Sequence, residues 1–145
     1  MAREIIVKNC CRSARIDAGA VRELVTELGE VTGALADCSV VFVGDRRMRG
    51  YNQRYRAKNA TTDVLSFPAE VEGYLGDIII SIPRLAAQAR QLGHSADEEA
   101  RVLITHGYLH LIGHDHETDE GEMQRLERRL SRRFRTHHIL RLKLR

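Results

Sequence analysis

Four of the seven histidines fall within eleven residues, in the run His106-Gly107-Tyr108-Leu109-His110-Leu111-Ile112-Gly113-His114-Asp115-His116. His106 and His110 are four apart, so on a helix both imidazoles leave the same face one turn from each other. Two ring nitrogens placed that way can reach one metal ion at about 2.0 to 2.1 Å each. Gly113 lets the chain leave the helix sharply, and His116 can then fold back as a third ligand. Three neutral imidazoles leave a tetrahedral Zn²⁺ with one open position, the pattern of catalytic rather than closed structural sites. A water in that position has its pKa lowered towards 7, so a zinc-bound water is a catalytic candidate. Around the ligands, His114 could be an alternative ligand, but reads better as a supporting donor or an exposed residue. Asp115 and Glu117 could orient ligand imidazoles through their second N–H. The competing reading is a group of surface or packed histidines with no ion.

The HxxxHxxGxxH spacing is similar to the metal-binding run of the metzincin proteases. Those proteases carry glutamate, their general base, directly after the first histidine. Here that position is Gly107, so the metal geometry is expected without the proteolytic base.

The elements that must position this run can be read from periodicity and punctuation. Glu4 to Val7 reads as a strand. Asp17 caps a predicted helix reaching about Thr32, with Val21, Leu24, Val25 and Leu28 at helical spacing. Cys38 to Val43 reads as a strand, and Arg46 to about Tyr55 as a short basic helix. Asp63 to Phe67 and Asp77 to Ile82 are two further strands, with Pro68 and Pro83 at strand ends. A helix from about Pro83 stops at Gly93. Ser95 and Glu98 then have capping-box spacing and open the helix that bears His106 and His110, with Gly113 suited to its left-handed end. A last helix runs from about Asp119 towards Phe134. The order βαβαββααα predicts an α+β fold: one domain over residues 1–145, a small mixed sheet of about four strands against several helices, and the zinc site at a helix C-terminus.

Composition sets the outer bounds. The chain has 145 residues, 43% apolar and 30% charged, which suits one soluble globular domain. Aromatics make up 5% and Trp is absent, so a broad aromatic platform for stacking bases is not expected. No stretch approaches the roughly 18 to 20 apolar residues of a membrane span, and the first residues lack a signal-peptide core; the expected location is the cytoplasm, with no membrane partner. Cys10, Cys11 and Cys38 are odd in number and form no CxxC pair, so reduced, packed thiols are expected rather than disulfides. The formal charge is +3, but from Arg125 to the end nine Lys/Arg face one acid, Glu127. A basic C-terminal tail from about residue 128 points to a polyanion partner, nucleic acid first. Leu140, Leu142 and Leu144 alternate with charged residues, so the very end can instead pack as a strand or dock a partner.

The histidine run also resembles the signature of the YbeY family, bacterial single-strand-specific endoribonucleases of ribosomal RNA maturation. Two further stretches share the resemblance. One is Asn52-Gln53-Arg54-Tyr55-Arg56-Ala57-Lys58, followed by Thr62-Asp63-Val64-Leu65-Ser66-Phe67-Pro68. The other is Leu75-Gly76-Asp77-Ile78-Ile79-Ile80-Ser81. Together they cover about residues 45 to 120. The resemblance implies one Zn²⁺ per chain held by His106, His110 and His116, and a functional arginine at Arg56. A guanidinium can grip a phosphodiester bidentately and offset charge in the transition state; an ordinary surface charge is the other reading of Arg56. His114 departs from a frequent tyrosine and Thr61 from a frequent proline. The implied function is a zinc-dependent endoribonuclease in ribosomal RNA processing, including 16S rRNA 3′-end maturation and ribosome quality control. The implied partners are single-stranded RNA, ribosomal RNA, and the small ribosomal subunit with its assembly factors. The alternative is a non-catalytic assembly factor binding RNA and protein with a structural zinc. Whether water or the RNA's own 2′-OH attacks is left open.

Overall fold

A computed structural model describes residues 3–56, 62–134 and 138–144 of the chain. The elements in chain order are β1 (Ile5–Asn9), β2 (Ala14–Arg15), α1 (Ala18–Thr32), β3 (Asp37–Val43), α2 (Asp45–Arg56), β4 (Val64–Pro68), β5 (Tyr74–Ser81), α3 (Ile82–Leu92), α4 (Ala96–Leu111), α5 (Glu122–Phe134) and β6 (Lys143–Leu144). Four strands form one sheet in the order β1-β3-β5-β4. β1, β3 and β5 run parallel, and the edge strand β4 is antiparallel to β5. The expected small mixed sheet with helices against it is therefore present. One element had no counterpart in the periodicity: β2, which pairs with β6 at the end of the chain in a two-stranded antiparallel ribbon.

Side chains alternate across the sheet, as the pleat requires. Cys38, Val40, Phe42, Ile78 and Ile80 point to one face and join Leu24, Val25 and Leu28 of α1 and Ile104 and Leu109 of α4 in the main core. Burying each such aliphatic side chain contributes about 1.5–3 kcal/mol before the cost of chain entropy. On the opposite face Val43, Met48, Leu65 and Ile79 form a smaller cluster under α2. Ser39, Asp77 and Phe67 also lie on that side, beside α2, and border an open pocket.

The helix that carries the histidines is fixed at both ends and along its length. Ser95 Oγ accepts the Glu98 amide at 3.1 Å, and Asp97, Glu98 and Glu99 complement the positive end of the dipole. At the other end Gly113 adopts φ +101°, and the His114 amide closes back on the Leu109 carbonyl at 3.0 Å. Tyr108, fully buried, donates its hydroxyl to the Ala34 carbonyl at 2.5 Å and accepts from Arg3 at 2.6 Å, tying α4 to the end of α1.

The basic residues from Arg128 onward ride on α5 as far as Phe134, and the chain then returns to the body. Leu140 and Leu142 are buried, and the amides of Arg141 and Leu142 donate to the Asp97 carboxylate at 3.1 and 2.7 Å. Of the three alternating leucines only Leu144 lies in a strand, β6, while Leu140 and Leu142 are buried outside one, so residues 138–144 are a packed part of the fold. Among the described residues no helix is long and apolar enough to cross a membrane. The three cysteines are free, with Cys11 and Cys38 buried.

Candidate metal centre

α4 is buried around most of its circumference, and the stripe left open runs through Val102, His106 and His110. That stripe follows the i, i+4 geometry read from the sequence. The two imidazoles stand with ring centres 4.6 Å apart, Nε2 to Nε2 at 3.1 Å. After Gly113 the chain folds back and brings His116 to 5.4 Å from His106 and 6.5 Å from His110, centre to centre. The three histidines singled out by spacing thus meet in space.

The carboxylate that meets them comes from α5. Glu127 Oε2 lies 3.1 Å from His106 Nδ1, and Oε1 lies 2.5 Å from His116 Nε2. Burial raises the Glu127 carboxyl, but the hydrogen bond from His106 and the charges of His106 and His116 outweigh it, holding the group below its ordinary value. Ionised, it can only accept, so His106 carries its proton on Nδ1 and turns the Nε2 lone pair towards His110. This is the carboxylate–histidine arrangement that orients metal ligands. Burial, and then the neighbouring His106, lowers the His110 pKa and favours the neutral ring a metal requires.

Two observations fit a cation here. Oε1 of Glu127 is buried and, although close to His116 Nε2, out of line for a hydrogen bond, so it has no hydrogen-bond partner. The Nε2 atoms of His106 and His110, at 3.1 Å, are separated by nearly the roughly 3.3 Å edge of a tetrahedron with bonds of about 2.05 Å. His106, His116 and Glu127 each offer a ligand atom, all within 4.8 Å of one another, and His110 adjoins through His106. The donor set of imidazoles and a carboxylate suits zinc or a similar divalent ion.

Gly107 shows why no glutamate follows the first histidine. It faces the sheet, and a Cβ there would stand 2.7 Å from Ile78 Cγ2 and 3.2 Å from Ser66 Oγ. Ser66 in turn donates to the Gly107 carbonyl at 2.9 Å. A side chain at 107 would point into the core, away from the histidines.

The other sequence candidates fall at different distances from this centre. His114 and Asp115 are half-buried and Glu117 is exposed. Asp115 Oδ1 accepts the Glu117 amide at 2.9 Å and so closes the turn after α4. The hydrogen-bonded carboxylate partner of a site imidazole is Glu127, which spacing within the run did not single out. Its sequence signal is its position: Met123, Glu127, Leu130 and Phe134 recur at helical intervals, and Met123, Leu130 and Phe134 are buried. A carboxylate occupies a place where periodicity calls for an apolar residue. Arg56 is the last residue of α2; its side chain, like residues 57–61 with Thr61, lies outside the described residues. Arg128, counted with the basic tail, instead lines a groove of about 440 Å³ between α4 and α5, together with His116, Glu127 and Arg101.

A mixed four-stranded sheet packed against helices, two of which bring histidines and a carboxylate together at an open groove, defines a small α+β protein with a metal-type centre. The family model described as "Endoribonuclease YbeY" matches residues 9–135; the chain belongs to the YbeY family. Among curated relatives, the "Endoribonuclease YbeY" of Koribacter versatilis is 49% identical over 106 residues, 73% of this chain and 70% of that protein. That of Solibacter usitatus is 48% identical over 94 residues, 65% of this chain and 63% of that protein. A Thermotoga maritima protein solved in solution shares the fold at TM-score 0.64, with 23% identity, over 88% of this chain and 86% of that one.

Proposed function

We propose that this chain is a zinc-dependent endoribonuclease that cuts single-stranded RNA during ribosomal RNA processing. The observation that supports the reading best is the convergence of His106, His110 and His116 beside the ionised Glu127, at the end of an open groove. Family membership supports the RNA substrate.

In this reading His106, His110 and His116 hold the ion. Bound zinc supplies Lewis acidity towards a phosphoryl oxygen and lowers the pKa of a coordinated water. Glu127 fixes the His106 ring by accepting its Nδ1–H and adds negative charge that favours a cation over a protonated ring. Arg101 and Arg128 line the groove beside the histidines and draw in a polyanion. Arg101 also donates to the His138 carbonyl at 2.7 Å, so its position is held. Arg56 is assigned to grip a phosphate bidentately, a task lysine would perform only in part. The substrate's place in the cell, 16S rRNA 3′-end maturation with small-subunit assembly factors as partners in the cytoplasm, belongs to the same proposal.

The absence of a glutamate after His106 favours the other reading, a non-catalytic assembly factor with a structural zinc. The carboxylate that α5 brings to the histidines supports the catalytic reading against it.

The test is cleavage of a labelled single-stranded ribosomal RNA fragment and of its duplex. Purified protein should cut the single strand, lose that activity with chelator, and fail in His110→Ala. RNA bound but uncut under all metal conditions would leave the assembly-factor reading in its place.

A further inference from the structure

The face of the sheet turned away from α4 holds a second concavity, of about 450 Å³. That lies within the roughly 300–1,000 Å³ of small-ligand sites. The chain has three Phe and four Tyr, and four of these seven, Tyr51, Tyr55, Phe67 and Tyr74, line this one pocket. A low aromatic content therefore does not mean a dispersed one. Tyr55 stacks nearly parallel to Tyr51, at 19° and 6.3 Å, and lies 4.9 Å from Phe67 at 58°. Yet Tyr55 is 58% exposed, an apolar ring face presented to solvent.

The polar floor is equally ordered. Asp77 sits beside Ser39 in the β3–β5 register and beside Phe67 in the β4–β5 register. Its Oδ1 accepts from both the Ser39 and Tyr74 hydroxyls, which fixes the carboxylate plane. Among the described residues Oδ2 has no hydrogen-bond partner. Two cations stand at the pocket: Lys8 lines it, and the Arg54 guanidinium stands 5.9 Å from the Tyr55 ring centre. The α2 helix that supplies Tyr51 and Tyr55 is itself basic, with Arg46, Arg47 and Arg49 exposed along it.

We propose that this pocket is a base-binding subsite for single-stranded RNA, taking an unpaired base against Tyr55 and Phe67 and reading its N–H donors with Asp77. The inference rests on the RNA reading of the metal centre and extends it to a site the metal does not touch. Aromatic faces flanked by cations are the recurrent platform for unpaired nucleotides, because every base has a π face and every linkage a charge. The carboxylate adds selectivity, since it can only accept. With Oδ1 held by two hydroxyls, the open Oδ2 has two lone pairs to offer: guanine presents two adjacent donors to it, N1–H and N2–H, and fits best, while uracil presents one N3–H between two carbonyls and fits worst. The route to the metal centre is short in strand terms. Ser66 of the edge strand β4 bonds to Gly107 of the histidine helix, while Phe67, the next residue, faces this pocket. An RNA strand passing over the β4 edge reaches both sides.

The experiment uses metal-loaded full-length protein and 2′-O-methyl oligonucleotides, which cannot be cleaved through a 2′-OH. Fluorescence anisotropy compares hexauridine with the same hexamer carrying one central guanine. Wild type should bind the guanine hexamer about tenfold more tightly. Tyr55→Ala should weaken both hexamers about tenfold with zinc content unchanged, and Tyr55→Phe should restore most of the affinity. Asp77→Asn, checked for native circular dichroism, should bring the guanine preference to twofold or less while hexauridine binding is retained. RNA cleavage is scored in parallel: absence of cleavage with these binding patterns intact would sink the nuclease reading alone. Unchanged affinity and preference in Tyr55→Ala and Asp77→Asn, in a protein that still cuts RNA, would overturn the subsite and leave this face to a protein partner.

Discussion

Two histidine–glutamate groups are built on α5, one at its middle and one at its C-terminal end, and they behave differently. At the middle Glu127 meets His106 and His116, with His110 behind. At the C-terminal end, Glu27 of α1 meets His138 and Arg133. There Oε1 accepts from Arg133 Nε and Nη2, both at 3.2 Å, while Oε2 takes His138 Nε2. The second carboxylate is balanced by a guanidinium that is always charged. Among the described residues the first is paired with imidazoles alone, and a neutral imidazole nitrogen is a metal ligand. A His–Glu contact is completed as a clasp by an arginine at Glu27, whereas at Glu127 several ring nitrogens converge without one, in a group that could hold a cation.

The largest effect should come from removing ring nitrogens. His106→Ala and His110→Ala should each strip the ion and lower RNA cleavage at least about 100-fold, more than loss of a group that only orients ligands. His138→Ala, measured in the same way by elemental analysis and cleavage rate, should retain both. Metal retained at full stoichiometry in His106→Ala and His110→Ala would erase the distinction.

Removing the carboxylate charge comes next. Glu127→Gln should weaken metal binding about 10- to 100-fold, as loss of an orienting partner does, read by competition with a chromophoric chelator. Glu27→Gln should leave the metal affinity where it was.

Gly107→Ala tests how the first group is positioned. Its Cβ would come 2.7 Å from Ile78 Cγ2, and overpacking of that kind costs about 1–3 kcal/mol. Urea denaturation should show that loss, while the midpoint of metal binding moves little.

The smallest effect is a pH dependence at the clasp. The hydrogen bond from His138, reinforced by Arg133, holds Glu27 below its ordinary carboxyl value. Its contribution to stability is therefore complete above the unfolded value of about 4.5 and is lost as pH falls through the lower folded one. Amide exchange near Leu140 and Leu142 should quicken in that acid window. Glu27→Gln should show the faster exchange already at neutral pH, with the acid step gone.

Local signals in the sequence carried much of this architecture. Asp17 and Ser95 cap the helices they were expected to cap, because a short polar side chain before an apolar stripe needs only its own backbone. His106 and His110 were readable because a helix fixes their relation without help from the rest of the chain. What escaped depends on packing between distant segments. Glu127 reaches the histidines only when α5 lies against α4. β2 has two residues, too few for any period, and its partner β6 lies near the other end of the chain. The four aromatics of the sheet face come from α2, β4 and β5, so composition alone made them look scattered.

The central claim is that one ion at the histidine centre does the cutting. The most direct measurement strips the protein with chelator, restores zinc in sub-stoichiometric steps, and reads the RNA cleavage rate against bound zinc. The rate should rise in proportion to occupancy and level off at about one zinc per chain, the number one set of convergent imidazoles can hold. Full cleavage by the stripped protein, or zinc taken up to that level with no gain in rate, would contradict it.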